Sequence, residues 1–204
     1  MTVGTKHATG ERTRAAILRE AVSLATIDGL EGLSIGNLAG ALHMSKSGLY
    51  AHFGSKQELQ LATVDEAGRV FRAAVIDPAL HAPPGVPQLV ALCDSFFDYL
   101  ARGTFPGGCF FAGAALEMSA RPGPVHERVA GFQTSFEAVI HQFAVRAMEL
   151  GQLADDEDPD QLAFELFGII LAANTAFVLD PEDPGALDLA RKVVRRRLRL
   201  PTPS

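Results

Sequence analysis

Apolar residues recur every three or four positions along most of this chain, and glycine or proline separates the stretches in which they do so. Such spacing puts apolar side chains on one face of an α-helix. Strand signals are nearly absent, since no hairpin dipeptide lies between alternating apolar runs and β-branched residues cluster little. The pattern therefore predicts an all-α fold of about nine helices.

Capping residues and helix breakers set the expected boundaries. Gly29 should stop the first helix, Ser34 and Ser45 should cap the second and third, and Ser55 should open the fourth. The proline-rich stretch 77–87 is expected to break the helical pattern. The predicted helices cover residues 11–28, 35–42, 45–53, 55–76, 87–102, 109–120, 124–150, 159–179 and 184–199.

Charge is distributed unevenly along the chain. The net charge is −6, yet residues 1–56 carry six basic and four acidic residues, whereas the remainder carries 12 basic and 20 acidic ones. Hydrophobic residues make up 48% of the sequence, which is enough for a packed core. A mildly basic N-terminal part on an acidic body fits a local DNA-binding head.

The cellular compartment is indicated by what the sequence lacks. The N-terminus has no apolar core typical of a signal peptide, and we expect no apolar run long enough to cross a bilayer. Cys93 and Cys109 are too far apart for a zinc-binding spacing, and two cysteines do not make a disulfide framework. We therefore expect a cytoplasmic protein with reduced thiols, no metal, no cofactor and no membrane contact.

Residues 33–59, LSIGNLAGALHMSKSGLYAHFGSKQEL, predict two short helices joined by a tight turn, as a helix-turn-helix requires. Ala39 is small enough to let the helices approach, and His43 and Met44 would form the turn. Leu49 and Phe53, four residues apart, would face the core. The second of these helices would then insert into the major groove of DNA.

Polar residues at the start of that helix suit a DNA contact. Hydroxyl groups, a cation and backbone N–H groups at a helix N-terminus favour phosphate, and a glycine permits close approach. The alternative is a short helical hairpin with a solvated polar face. The candidate contacts are Ser45, Lys46, Ser47, Gly48, Tyr50, His52 and Lys56.

Residues 11–59 resemble the N-terminal domain of the TetR family of regulators. The likeness is carried by ERTRAAILREAVSLATIDGLEGLSI and by SKSGLYAHFGSKQEL, which is similar to that family's recognition-helix signature. The resemblance implies that Tyr50, His52 and Lys56 touch the DNA backbone and that residues 45–48 lie nearest the bases. It also implies a phosphate contact by Thr13 or Arg12 at the start of the first helix.

The same resemblance implies that the later helices enclose a cavity for a small apolar or aromatic molecule. Glu117 and Asn174 lie among apolar neighbours and are candidate polar anchors. The alternative is that the phenylalanine-rich stripes simply form the core of a helical bundle. The candidate pocket residues are Phe96, Cys109, Phe110, Glu117, Met118, Phe136, Phe167 and Asn174.

Two further features admit two interpretations each. The segment 106–117 resembles a Gly-Cys-Phe signature in one branch of the family, and Cys109 at a helix N-terminus would have a lowered thiol pKa; the alternative is an inert buried cysteine. The basic run 191–199 has the composition of a nucleic-acid patch. The favoured interpretation is a helix C-terminus whose cations suit the helix dipole and offset acidic neighbours.

Together these features predict a DNA-binding domain over residues 8–56 and a ligand-sensing and dimerisation domain over residues 57–204. The protein would bind double-stranded DNA at a palindrome, as a homodimer that pairs through its last two helices, and a small molecule would release it. The fourth helix would be the lever between the domains.

An enzyme is the first alternative, although no GxSxG, HExxH or phosphate-loop motif is present. A helical carrier with a vestigial helix-turn-helix is the second.

Overall fold

A computed structural model describes the backbone of residues 3–183 and 185–201, with side chains from residue 10 onwards. Within those ranges the chain is all-helical and contains no strand, as predicted. The helices are α1 (Val3–Gly32), α2 (Ile35–Ala41), α3 (Lys46–Phe53), α4 (Lys56–Phe71), α5 (Asp77–Leu80), α6 (Val86–Ala101), α7 (Phe110–Met118), α8 (Pro124–Glu149), α9 (Pro159–Leu179) and α10 (Gly185–Arg197).

The predicted helix caps are confirmed where they are local. Ser34 Oγ accepts a hydrogen bond from the Asn37 amide at the start of α2, and Ser45 Oγ accepts one from the Gly48 amide at the start of α3. Asp158 caps α9, which has Pro159 in its first turn. These oxygens satisfy N–H groups that have no partner inside the helix. Residue 184, where the last helix is expected to begin, lies outside the described residues.

Two boundaries differ from the prediction. The first helix begins at Val3 rather than residue 11, because residues 3–10 contain no proline and each of their two glycines costs a helix only about 1 kcal/mol. The break expected over residues 77–87 is confined to residues 81–85. A π-helical turn, Arg72–Ile76, follows α4 directly and leads into α5. Pro78 lies in the first turn of α5, where the missing N–H of a proline costs no hydrogen bond within that helix.

The chain forms two compact units. The first contains the described residues up to Arg69 together with Phe105–Ala130, and the second contains Val70–Thr104 and the described residues from Gly131 onwards. The first unit has a core formed by α1 to α4 around Ile17, Leu38 and Leu49, all essentially buried. In the second unit, α6 packs against α9 and α10. The predicted boundary between residues 56 and 57 stays a prediction.

Candidate DNA-binding interface

The helices α2 and α3 meet in the turn that the sequence predicts. His43 adopts a positive φ of 52°, and the Met44 amide donates to the Ala39 carbonyl at 2.9 Å, which reverses the chain between the two helices. Ala39 is buried at the contact between them. The small residue and the tight turn therefore allow two short helices to pack against each other closely.

One face of α3 is anchored in the core of the first unit. Leu49 and Phe53 are both buried, as their four-residue spacing predicts. The Arg14 guanidinium of α1 lies 4.7 Å from the centre of the Phe53 ring, a cation–π contact that ties the end of α3 to α1. Core packing and this contact leave α3 with a defined outer face.

The outer face of α3 carries the predicted contacts of its first turns. Ser45, Lys46 and Ser47 are exposed, and Tyr50 is 55% exposed, whereas His52 is half-buried with its ring 6.3 Å from that of Phe53. Half-buried Gly48 leaves space for the cap, because a Cβ there would lie 3.0 Å from Ser45 Oγ. The Ser45 hydroxyl also lies 3.3 Å from that of Ser47, so intrahelical bonds already occupy part of its hydrogen-bonding capacity.

Lys56 makes a contact that the sequence did not indicate. Its ammonium donates to the Glu31 backbone carbonyl at 2.7 Å and to the Glu31 carboxylate at 3.1 Å. Hydrogen bonds from Lys56 and Gln60 hold the pKa of Glu31 below its ordinary value of 4.5, so this carboxylate stays ionised. Thr13 is half-buried and Arg12 exposed on α1. A phosphate contact by Lys56 or Thr13 stays a prediction.

Glu117 differs from its expected role as a ligand anchor. Its carboxylate, on α7, accepts hydrogen bonds from the backbone amides of Leu30 at 2.7 Å and Glu31 at 2.8 Å. Both partners belong to α1 in the same compact unit. Sequence reasoning misses Glu31, Gln60 and Glu117 as a group because no local pattern links residues so far apart in the chain.

Cys109 is buried at the start of α7, together with Phe110 and Met118. Burial raises the pKa of the Cys109 thiol to about 11, although backbone hydrogen bonds at the helix start act in the opposite direction. The expectation of a lowered pKa is therefore wrong, because desolvation outweighs the helix N-terminus. An inert thiol is the interpretation that fits this geometry.

In the second unit, three of the predicted pocket residues, Phe96, Phe136 and Phe167, belong to one aromatic cluster. Phe71, which is not among the predicted pocket residues, lies at its centre, with its ring centre 6.2 Å from that of Phe96 and 5.0 Å from that of Phe136. Phe136 in turn lies 6.2 Å from Phe167. The rings meet edge-on or tilted, the arrangement that aromatic pairs prefer. Asn174 is buried in α9.

The helix α9 is long and apolar enough to span a membrane, so the expectation that the chain has no such run is wrong. Only 28% of its most apolar 18-residue stretch is buried within the chain. The core helix of a globular protein passes the same test, so one such helix is weak evidence of a membrane span. Its exposed side carries Phe164 at 77% and Leu179 at 81% exposure. An apolar surface of this kind is typical of an interface.

The basic run at the end of α10 is paired with acidic side chains of its own unit. Arg191 donates to Asp94 at 2.6 Å and to Asp98 at 2.7 Å, and Arg197 donates to Glu157 at 2.7 Å and also to Glu165. The favoured interpretation, that these cations offset acidic neighbours, is confirmed. The bonds of Arg191 and Arg197 join α10 to other parts of the second unit.

Among the side chains that the structure describes, no three His, Cys, Asp or Glu residues come together to hold a metal ion. The fold and the exposed face of α3 define a helix-turn-helix protein of the kind that binds DNA.

Comparison with known proteins narrows this class to one family. Residues 17–63 match the model of bacterial regulatory proteins of the tetR family, and residues 85–194, more than half of the chain, match the tetracyclin repressor-like C-terminal domain. The chain belongs to the TetR family of transcriptional regulators. It is accordingly a regulator with a helix-turn-helix DNA-binding domain and not an enzyme.

Individual relatives agree with this assignment. The transcriptional regulator AcuR of Cereibacter sphaeroides is 25% identical over 172 residues, which cover 81% of this chain and 78% of AcuR. A TetR regulator from Chloroflexus aurantiacus superposes with a TM-score of 0.85 at 24% identity, over 94% of this chain and 96% of its own. AibR, solved with isovaleryl coenzyme A and operator DNA, gives a TM-score of 0.73 at 22% identity, over 90% and 97%.

Proposed function

We propose that this regulator is a repressor that binds a palindromic operator as a homodimer and is released by a small molecule. The observation that carries the proposal is the outer face of α3, where Ser45, Lys46, Ser47 and Tyr50 are exposed while Leu49 and Phe53 hold the helix in the core. An exposed, positively charged helix start fits the major groove, where side chains read base edges.

The apolar side of α9 supports the homodimer. Phe164, Gly168, Ala172, Ala176 and Leu179 recur at helical spacing and are all exposed. The small residues among them allow a second helix to approach closely, and the two large ones supply apolar area to bury. An apolar groove between α9 and α10, lined by alanines together with Leu189 and Val193, continues this surface.

A two-fold dimer gives a reason for the palindrome. A single short recognition helix contacts too few bases for specific binding, whereas two copies read half-sites about one DNA turn apart. AibR has been solved with operator DNA and an acyl coenzyme A, which supports ligand-responsive binding in this chain also. The helix α4 continues from the unit that contains α3 into the other unit, and is our candidate for the lever between ligand and DNA.

The aromatic cluster around Phe71 supports an apolar or aromatic effector that binds among Phe96, Phe136 and Phe167. Rings that pack edge-on can separate to admit a flat or branched apolar group, whose own burial offsets the cost of parting the rings. With α9 assigned to a protein interface, we assign the regulator to the cytoplasm, where its DNA is.

Selection of bound sequences from random DNA, repeated at two salt concentrations, tests this function. We expect an inverted repeat and an affinity that falls steeply as salt rises. Lys46→Ala should relax the base preference at one position of each half-site, since a base contact contributes about 1–3 kcal/mol to discrimination against the wrong base. Lys56→Ala should weaken binding to all sequences and reduce the salt slope by about 0.9 per lost phosphate contact, hence by about 1.8 in a dimer.

Arg146→Ala is the matched control, because it removes one exposed cation from α8 in the second unit. It should alter neither the selected sequence nor the salt slope by as much as Lys56→Ala does. Selection of a single unrepeated site, or of no preferred sequence, would refute the proposed function.

A further inference from the structure

The helix α1 is interrupted three residues before its end. Gly29 has φ 76° and ψ 165°, values outside the helical region, and a last turn of helix follows over residues 30–32. The break leaves the first amides of this turn without acceptors in α1, as at any helix start. Gly29 occupies the position of the cap and has no side chain with which to satisfy them.

Glu117 supplies this cap from another helix. Its two carboxylate oxygens each accept one amide hydrogen, from Leu30 at 2.7 Å and from Glu31 at 2.8 Å. A carboxylate at a helix N-terminus is favoured by both charge-assisted hydrogen bonds and the helix dipole. A Cβ on Gly29 would lie 2.8 Å from both oxygens, so the glycine is needed for the approach as well as for its positive φ.

The same two peptide units are held from α4. Gln60 Nε2 donates to the Leu30 carbonyl at 2.7 Å, and Lys56 Nζ donates to the Glu31 carbonyl at 2.7 Å. Thus α7 binds the amides and α4 binds the carbonyls of one dipeptide. That dipeptide leads directly into α2, because the Leu33 amide bonds the Gly29 carbonyl and Ser34 caps α2.

A second contact fixes the segment before α7 to the same part of α1. The Gly107 amide donates to Thr26 Oγ1 at 3.2 Å, and a Cβ on Gly107 would lie 1.9 Å from the Thr26 carbonyl oxygen. Residues 107–117 therefore contact α1 on both sides of its break. A displacement of α7 would act directly on the peptide units that lead into the helix-turn-helix.

We propose that Glu117 is a positioning residue for DNA recognition, which sets the direction in which α2 and α3 leave α1 by capping the turn at Leu30 and Glu31. The proposal rests on the proposed function, since α3 must bind DNA for its direction to matter.

The proposal and electrostatics alone predict opposite effects of removing the Glu117 charge on operator affinity. The direction of the change therefore distinguishes them. Loss of a negative charge from the DNA-binding unit should strengthen binding to a polyanion. The proposal instead predicts that Glu117→Ala weakens operator binding about tenfold, with Glu117→Gln between it and the wild type because glutamine keeps one acceptor oxygen. Since Glu117 neutralises no phosphate, the salt slope should stay unchanged, and the affinity for nonspecific DNA should not fall.

The experiment measures operator affinity, its salt slope and amide hydrogen exchange for the full-length dimer. Glu137→Gln, which removes an exposed charge from α8, is the control for net charge. Exchange should accelerate at both the Leu30 and Glu31 amides in Glu117→Ala and at one of them in Glu117→Gln, and should stay slow at Leu33, whose amide bonds the Gly29 carbonyl. If Glu117→Ala does not fold, Glu117→Gln carries the comparison.

Operator affinity within twofold of the wild type in Glu117→Ala would overturn the positioning role. So would a salt slope reduced as in Lys56→Ala, which would mean that the substitution costs the protein a phosphate contact made by a cation. Unchanged exchange at Leu30 and Glu31 would show that Glu117 is not the cap. If the wild-type protein selects no operator, the proposed function is wrong and the positioning role falls with it, whereas the exchange result still reports separately on the cap.

Discussion

Replacing Phe164 with serine removes the largest exposed apolar side chain of α9, and the free-energy cost to the proposed dimer can be calculated from the exposure of this residue. Burial of a whole phenylalanine side chain is worth about 1.5–3 kcal/mol, and 77% of this residue is exposed in the single chain. Covering it therefore contributes about 1–2 kcal/mol in each protomer. A two-fold interface contains the residue twice, so Phe164→Ser should weaken dimerisation by about 2–4 kcal/mol, or about 30-fold to nearly 1,000-fold.

Sedimentation equilibrium over a range of protein concentrations measures this change, since the protomer mass is 21.7 kDa. Phe164→Leu should retain most of the dimer because it keeps an apolar side chain. Ile27→Ser is the matched control, because Ile27 is 64% exposed on α1 and lies in the other compact unit. A monomeric wild type, or equal dimer constants for the wild type and Phe164→Ser, would refute the assignment of the interface to this face of α9.

Two further predictions concern the second unit and the buried thiol. Arg197→Met should lower the free energy of unfolding by about 1–3 kcal/mol at pH 7, because it breaks hydrogen bonds to Glu157 and Glu165. The pKa values of both carboxyls are held below 4.5, so this stability is present above that pH and is lost as the pH falls below it; urea unfolding at pH 7 and pH 3 should show the difference shrink. Cys109 should react with iodoacetamide at pH 8 far more slowly in the native protein than in urea, because burial raises its pKa to about 11; equal rates would contradict this.

Features that depend on neighbouring residues could be predicted from the sequence. Ser34, Ser45 and Asp158 cap helices where their position before an apolar run predicts, since each bonds an amide only two or three residues away. The outer face of α3 follows in the same way from the spacing of Leu49 and Phe53. Local geometry and the spacing of apolar residues are enough to predict the caps and the outer face of α3, because no residue distant in the chain takes part in them.

Features that depend on distant partners could not be predicted. In the sequence Glu117 is a polar residue in an apolar stripe, but its two partners lie 87 and 86 residues earlier in the chain. The π-helical turn after Phe71 likewise carries the helical path past Pro78, where composition predicts a break. The apolar run of α9 is also longer than expected, and the proposed dimer accounts for it, because a helix covered by a second protomer needs apolar residues on more than one side.

Lys56 connects the proposed DNA contact to the turn that Glu117 caps. An ammonium has three N–H donors, and the Glu31 carbonyl and carboxylate occupy two of them, so one remains for a phosphate oxygen without breaking either bond. The ionised Glu31 would repel that phosphate by itself, but Lys56 and Arg121, 3.5 Å away, both offset its charge. Loss of Lys56 thus removes a cation from the DNA face and one of the bonds that hold the Glu31 peptide. Lys56→Ala should therefore weaken operator binding by more than the loss of one phosphate contact. The salt slope separates the lost phosphate contact from the lost bond to the Glu31 peptide, because only the phosphate contact releases counterions.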